Sequence, residues 1–205
     1  KALRQFCANF PANHQNIIDL GDVVCEDTHL ENAQNTLAAK VNEIITAGGK
    51  SIVFGGGHEV LFGHYSGIRS TFPDKKIGII NFDAHFDNRA IDPAIGASSG
   101  TGFWQIAQQD SNYQYLAIGI QKNANTKALF NFADTHNTTT ILGEDFIPEN
   151  KAKIATQIDE FLSQIDVLYV TVCLDVFAAA FAPGVSAPAY SGIFPDAFFR
   201  SIFNK

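Results

Sequence analysis

Residues able to do chemistry gather at three places in this 205-residue chain. The first is Gly55-Gly56-Gly57-His58-Glu59, directly after the apolar run 51–54. The second is Asp83-Ala84-His85-Phe86-Asp87, which follows Ile77-Gly78-Ile79-Ile80-Asn81-Phe82. The third is Cys173-Leu174-Asp175, which ends the run 167–172 and precedes Ala182-Pro183-Gly184. In an extended backbone, residues i, i+2 and i+4 share one face. Asp83, His85 and Asp87 are therefore expected to point the same way from a strand end, and so are Cys173 and Asp175. Two carboxylates and an imidazole at that spacing repel or stay unsatisfied unless a cation lies among them. Imidazole plus carboxylate is a ligand set for manganese or related divalent ions. Two such ions about 3.5–4 Å apart can hold and acidify a water, which then attacks an electrophilic carbon with no protein nucleophile.

Each cluster also has a plainer reading. His58 serves equally as a capping or core histidine. Residues 83–87 suit a solvated strand tip, although the strand before them reads as fully buried. A lone Asp175 suits a helix cap or a turn. The glycines before His58 allow a tight turn and close backbone approach. That loop has neither Gly-x-Gly-x-x-Gly nor Gly-Lys-Ser/Thr, so a phosphate cradle is not supported. The chain has no Gly-x-Ser-x-Gly elbow and no Cys/His protease pattern.

The elements that must carry these clusters alternate. Short, β-branched, nearly continuous apolar runs at 16–20, 50–54, 76–82, 113–119, 138–142 and 166–173 are expected strands covered on both faces. Helical stretches lie between them. Thr28 to Glu31 reads as a capping box. After it Leu30, Ala33, Leu37, Val41, Ile44 and Ile45 recur on one face, and Gly48-Gly49 closes the helix. Further helices are expected over 59–71, 102–109, 126–133 and 150–164. Strand–helix alternation predicts an α/β fold with a mostly parallel sheet, whose ligands collect beyond the carboxyl ends of the strands. All three clusters sit at such ends. With no linker, repeat or low-complexity tract, residues 1–205 read as a single domain.

Composition narrows the function classes. Apolar residues make up 46% and charged residues 17%, which excludes long-range disorder. With 14 basic against 21 acidic residues and a net charge of −7, a general nucleic-acid-binding surface is not expected. No apolar stretch reaches the ~18–20 residues of a membrane span. Cys7, Cys25 and Cys173 show no disulfide spacing and fit reduced thiols, so a cytoplasmic location is expected. The chain starts at Lys1 and contains no Met, so it is expected to be part of a longer protein, incomplete at both ends.

Gly-Gly-Gly-His-Glu, Asn-Phe-Asp-Ala-His-Phe-Asp and a late strand ending in Asp before Ala-Pro-Gly resemble the ureohydrolases, the arginase, agmatinase and formimidoylglutamase enzymes. The resemblance runs from about Ile17 to Pro188. Ser98-Ser99-Gly100-Thr101-Gly102-Phe103 and Val185-Ser186-Ala187-Pro188 are most similar to the formimidoylglutamase members. The resemblance implies a three-layer α/β/α, arginase-like fold and a binuclear manganese centre. It implies that His58, Asp83, Asp87 and the residue at 173 hold one ion, and that Asp83, His85, the residue at 173 and Asp175 hold the other. It implies hydrolysis of N-formimidoyl-L-glutamate to L-glutamate and formamide in histidine degradation, with Asp87 orienting the nucleophile or accepting its proton. Asn88, Arg89, Ser99 and Gly100 would then hold the small-molecule substrate, and a homo-oligomer is expected. Arg89 suits an anionic carboxylate, or else forms a surface ion pair. Position 173 departs from the family's usual Asp. A thiolate is softer than a carboxylate and suits manganese less, so Cys173 is either a ligand or a buried apolar thiol. Two alternatives stand beside this reading: another amidine or guanidine hydrolase such as agmatinase, and a metal-poor relative without catalysis.

Overall fold

In the computed structural model the described residues are 17–26 and 29–205. Strand β1 (Ile77–Phe82) is buried at all six positions. It lies between β2 (Gln114–Ile120) and β4 (Val167–Val172), and β3 (Thr139–Leu142) lies beyond β2. The order is β3-β2-β1-β4 and every pairing is parallel. The register aligns the carboxyl ends, with Phe82 opposite Ile118 on one side and Val172 on the other.

The strands are apolar throughout because both faces of the sheet are covered. Ile77, Ile79, Tyr115, Ala117 and Tyr169 face one core. Helices α1 (Leu30–Thr46), α2 (Val60–Thr71), α3 (Gly102–Gln109) and α4 (Lys127–Thr135) close it. Ile80, Phe82, Leu116, Ile118 and Ile141 face the other core, closed by α5 (Lys151–Leu162) and α6 (Ala197–Phe203). Each fully buried Ile or Phe contributes roughly 1.5–3 kcal/mol. The result is three layers, α/β/α. No helix among the described residues is long and apolar enough to cross a membrane.

Helix α1 fixes the loop before α2. A Cβ on Gly63 would lie 2.7 Å from the Gln34 carbonyl oxygen and one on Gly67 2.6 Å from that of Ala38, so the two helices meet backbone to backbone. The Gln34 side chain donates to the Glu59 carbonyl at 2.9 Å. Bonds from Gly48 to Ile45 and from Gly49 to Ile44, both 2.9 Å, close α1 where expected. Cys7 and the Thr28 of the expected capping box lie outside the described residues.

Two expected strands form no ladder among the described residues, and Asn16, the first residue of one of them, lies outside these. Residues 17–20 and 50–54 are in no ladder, and Ile17, Ile18, Ile52 and Phe54 are exposed. Around Ser51 the burial still alternates: Ser51 and Val53 are half-buried, Ile52 and Phe54 exposed. That pattern suits a strand, but a strand also needs a neighbour's N–H and C=O groups, and among the described residues this segment finds none. Helix α6 is an addition to the sequence reading. The Asp196 side chain accepts from the Phe199 N–H at 2.9 Å and caps it.

Two positions yield stability tests in the full-length protein. Gly119 has φ 102°, and a Cβ there would lie 2.4 Å from Val176 Cγ2 and 3.1 Å from the Asp83 carbonyl oxygen. Gly119→Ala is expected to cost about 1–3 kcal/mol in denaturant unfolding. Exposed Gly21, at φ 82° with open space around it, is the milder control. His64 is buried with Nε2 2.8 Å from Ser51 Oγ, and burial lowers its pKa to about 4. Above the ordinary value of 6.5 both folded and unfolded forms are neutral. Below it only the unfolded chain takes the proton, so stability falls, by on the order of 3 kcal/mol once pH passes the folded value. In His64→Gln the pH dependence over that window should flatten.

Candidate metal centre

The strand ladders run on past β1 and deliver the first donors. The Asp83 N–H donates to Ile118 O and the Cys173 N–H to Phe82 O, both at 2.9 Å. Asp83 and Cys173 thus stand at the carboxyl ends of neighbouring strands, and Asp83 is 0% exposed. His58 enters from the loop before α2 and is buried. Its Nδ1 lies 2.9 Å from Asp83 Oδ2 and 2.9 Å from Asp87 Oδ2. Its far nitrogen, Nε2, meets Thr171 Oγ1 on β4 at 2.9 Å. His85 Nδ1 lies 3.2 Å from Asp175 Oδ2 and 3.5 Å from Asp83 Oδ1.

All six residues expected at a metal site are brought together, though not by strand alternation. The chain leaves β1 at Phe82, bends at Ala84 and His85, and reaches Asp87 with φ 47°. That bend turns Asp83 and Asp87 onto the same imidazole nitrogen. Asp175 likewise sits in a short 3-10 turn, Leu174–Val176, after β4 has ended. These side chains therefore meet, but not through the i, i+2, i+4 alternation, which ends at Phe82.

The donors form two groups that share Asp83. His58, Asp83 and Cys173 offer donor atoms all within 4.8 Å of one another, and so do Asp83, His85 and Asp175. Asp175 is 7% exposed and its Oδ1 has no hydrogen-bond partner among the described residues. A buried, unsatisfied carboxylate oxygen beside a second carboxylate and an imidazole fits a divalent cation.

The electrostatics express the same excess of negative charge. Burial alone would lower the His58 pKa, but hydrogen bonds to Asp83, Asp87 and Cys173 raise it well above the ordinary value. Contacts with Asp175 and then Asp83 push His85 up to about 10. Burial opposes ionisation of Asp83, yet His58 and His85 hold it well below the usual carboxylate range. Burial and the Asp83 charge push Asp87 up to about 6. Burial pushes the Cys173 thiol up to about 12. Three carboxylates thus draw protons onto two imidazoles, the charge that bound cations would otherwise supply.

The expected substrate residues divide. Arg89 N–H donates to Gly100 O and Phe103 N–H to Asp87 O, both at 2.9 Å, so the 98–103 loop is tied beside Asp87. Arg89 and Ser99 are exposed there and Gly100 is half-buried. Asn88 is 2% exposed and turns inward, its amide donating to the Leu129 carbonyl at 3.1 Å. It is an anchor for α4. Beside His85 a cavity of about 220 Å³ is lined by Ala84, Gln121, Ala187, Tyr190 and Ser191.

Three polar residues of the surroundings escape sequence reasoning. Thr171 orients His58. The Asn81 amide donates to Asp83 Oδ2 at 3.3 Å and to the Tyr115 hydroxyl oxygen at 3.0 Å. Asn81 and Thr171 interrupt otherwise apolar strands just before the clusters, and that interruption is the signal they carry.

Comparison with known proteins places these features in a family. The profile of the Arginase family matches residues 2–203. Formimidoylglutamase of Geobacillus sp. (strain WCH70) is 40% identical over 99% of this chain and 64% of its own length. That of Chromobacterium violaceum is 43% identical over 94% of this chain and 63% of its own. The chain thus spans under two-thirds of the length of these curated relatives. Among solved structures, a variant of Trypanosoma cruzi formiminoglutamase with manganese superposes with TM-score 0.78 at 24% identity, over 92% of this chain and 62% of that one. Bacillus subtilis arginase superposes with TM-score 0.72 at 21% identity, over 86% and 67%. At these identities the structures speak for the fold.

The geometry predicts a titration result for metal-free, full-length protein. In Asp175→Asn the foremost partner that raises His85 becomes neutral. The His85 ring signal in NMR should then titrate at least one pH unit lower than in the parent protein. An unchanged midpoint would show that Asp175 does not govern His85.

Proposed function

This chain belongs to the arginase family, and from that premise we propose that it carries the centre of a manganese-dependent hydrolase of N-formimidoyl-L-glutamate, releasing L-glutamate and formamide. The observation that carries the proposal is the sharing of one buried carboxylate, Asp83, between two groups of donors. Relatives at 40–43% identity named formimidoylglutamase support the substrate. In this reading His58, Asp83, Asp87 and Cys173 would hold one ion, and Asp83, His85 and Asp175 the other. Bound manganese supplies Lewis acidity that makes water nucleophilic at neutral pH.

The chain's own residues do the rest. Thr171 Oγ1 fixes the His58 ring through its far nitrogen. The reaction adds water at the formimino carbon and breaks its bond to the glutamate nitrogen. Asp87, 2.9 Å from His58 Nδ1 at the edge of the cluster, is placed to take a proton from the water and return it to the leaving nitrogen. Arg89, exposed at the rim two residues on, offers a bidentate partner to a substrate carboxylate. Ser99 and Gly100 stand beside it through the backbone bond from Arg89 to Gly100. A guanidinium at that rim opposes a cationic substrate such as agmatine.

With full-length protein and manganese, formamide release is expected from formimidoylglutamate and not from agmatine or arginine. Turnover of agmatine alone would overturn the substrate assignment. Asp87→Asn should lower kcat about 10²–10⁴-fold with KM little changed. Arg89→Ala should instead raise KM, about tenfold or more, with kcat largely kept.

A further inference from the structure

The two donor groups around Asp83 are chemically unlike. His58, Asp83 and Cys173 present nitrogen, oxygen and sulfur, whereas Asp83, His85 and Asp175 present nitrogen and oxygen only. The sulfur is not on a wandering segment. The Cys173 N–H is bonded to Phe82 O at 2.9 Å, and the Cys173 carbonyl accepts from the Val176 N–H at 3.1 Å. Its backbone is therefore fixed at both sides where β4 ends against β1. His58 is fixed as well, since Thr171 occupies its Nε2 and leaves Nδ1 for the centre. On the other side, the buried Asp175 Oδ1 is unpartnered among the described residues. That group is thus left open to a cation through oxygen.

Ligand softness sorts divalent ions. Thiolate favours zinc or cobalt, while carboxylates suit manganese. We infer that the centre is built for two unlike ions: a thiophilic divalent ion such as zinc or cobalt between His58, Asp83 and Cys173, and a hard ion such as manganese between Asp83, His85 and Asp175. The inference rests on the metal-binding part of the proposed function and is independent of its substrate. On binding, the Cys173 thiol gives its proton to solvent and the sulfur becomes the ligand.

Cobalt is the direct probe. Metal-free, full-length protein titrated with cobalt(II) should develop a thiolate-to-cobalt charge-transfer absorption in the near ultraviolet. It should saturate at one equivalent and disappear in Cys173→Ser. The absorption should persist in His85→Asn, which removes a donor of the oxygen-rich group and keeps His58, Asp83 and Cys173; that second variant separates loss of the sulfur ligand from loss of the fold. After equilibration with equal manganese and zinc, metal analysis should show the zinc preference of one site falling at least tenfold in Cys173→Asp. Cobalt bound without the absorption, an absorption unchanged in Cys173→Ser, or no cobalt bound would each overturn the inference. Hydrolysis of formimidoylglutamate is read separately, so failure of either result leaves the other standing.

Discussion

Asp83 is a carboxylate with no solvent exposure, held between two imidazoles, and the rest of the structure answers to that constraint. Burying an ion costs several kcal/mol unless partners of opposite charge and hydrogen-bond donors surround it. His58 and His85 supply the charge from opposite sides. The His85 N–H, at 2.8 Å from Oδ1, and the Asn81 amide supply the donors. Asp87 and Asp175 then add two more carboxylates to the same imidazoles. Without cations, the cluster balances only by keeping protons on both rings. A centre with this much negative charge, this little exposure and an Asp175 oxygen without a partner among the described residues is suited to metal.

The fold exists around that centre in a direct sense. Parallel pairing sends the carboxyl ends of β1, β2 and β4 to one edge, so Asp83 and Cys173 arrive together. The bulge between Ile118 and Ile120 lets Gly119 pass close to Asp83 and Val176. The α1–α2 pair, packed through Gly63 and Gly67, brings His58 in from the side. Two backbone bonds fasten the 98–103 loop to Asp87 and Arg89. Precision at the site therefore comes from regular elements and their ends, and the more exposed Arg89 and Ser99 lie at its rim.

Four strands and five helices follow from periodicity to within a few residues, because two-sided burial leaves a continuous apolar run and helices leave a face. The runs at 17–20 and 50–54 have the same apolar character and form no strand. Propensity describes one chain segment, whereas a ladder needs two. At the centre, residue type was the stronger guide. His58, Asp83, His85, Asp87, Cys173 and Asp175 were all legible from chemistry at strand ends. Their geometry was not, since a bend and a positive φ at Asp87 replace the assumed extended backbone. Asn88 is buried with its amide on the Leu129 carbonyl, a placement that its position in sequence does not reveal. Thr171 and Asn81 act through other side chains, which a linear pattern does not reveal.

The most direct test is anomalous diffraction from crystals of the full-length protein grown with manganese and zinc, recorded at both absorption edges. The account predicts an ion on each side of the Asp83 carboxylate, one also bonded to His58 and the other to His85 and Asp175. Ions absent from both sides of Asp83, or bound only elsewhere on the protein, would contradict it.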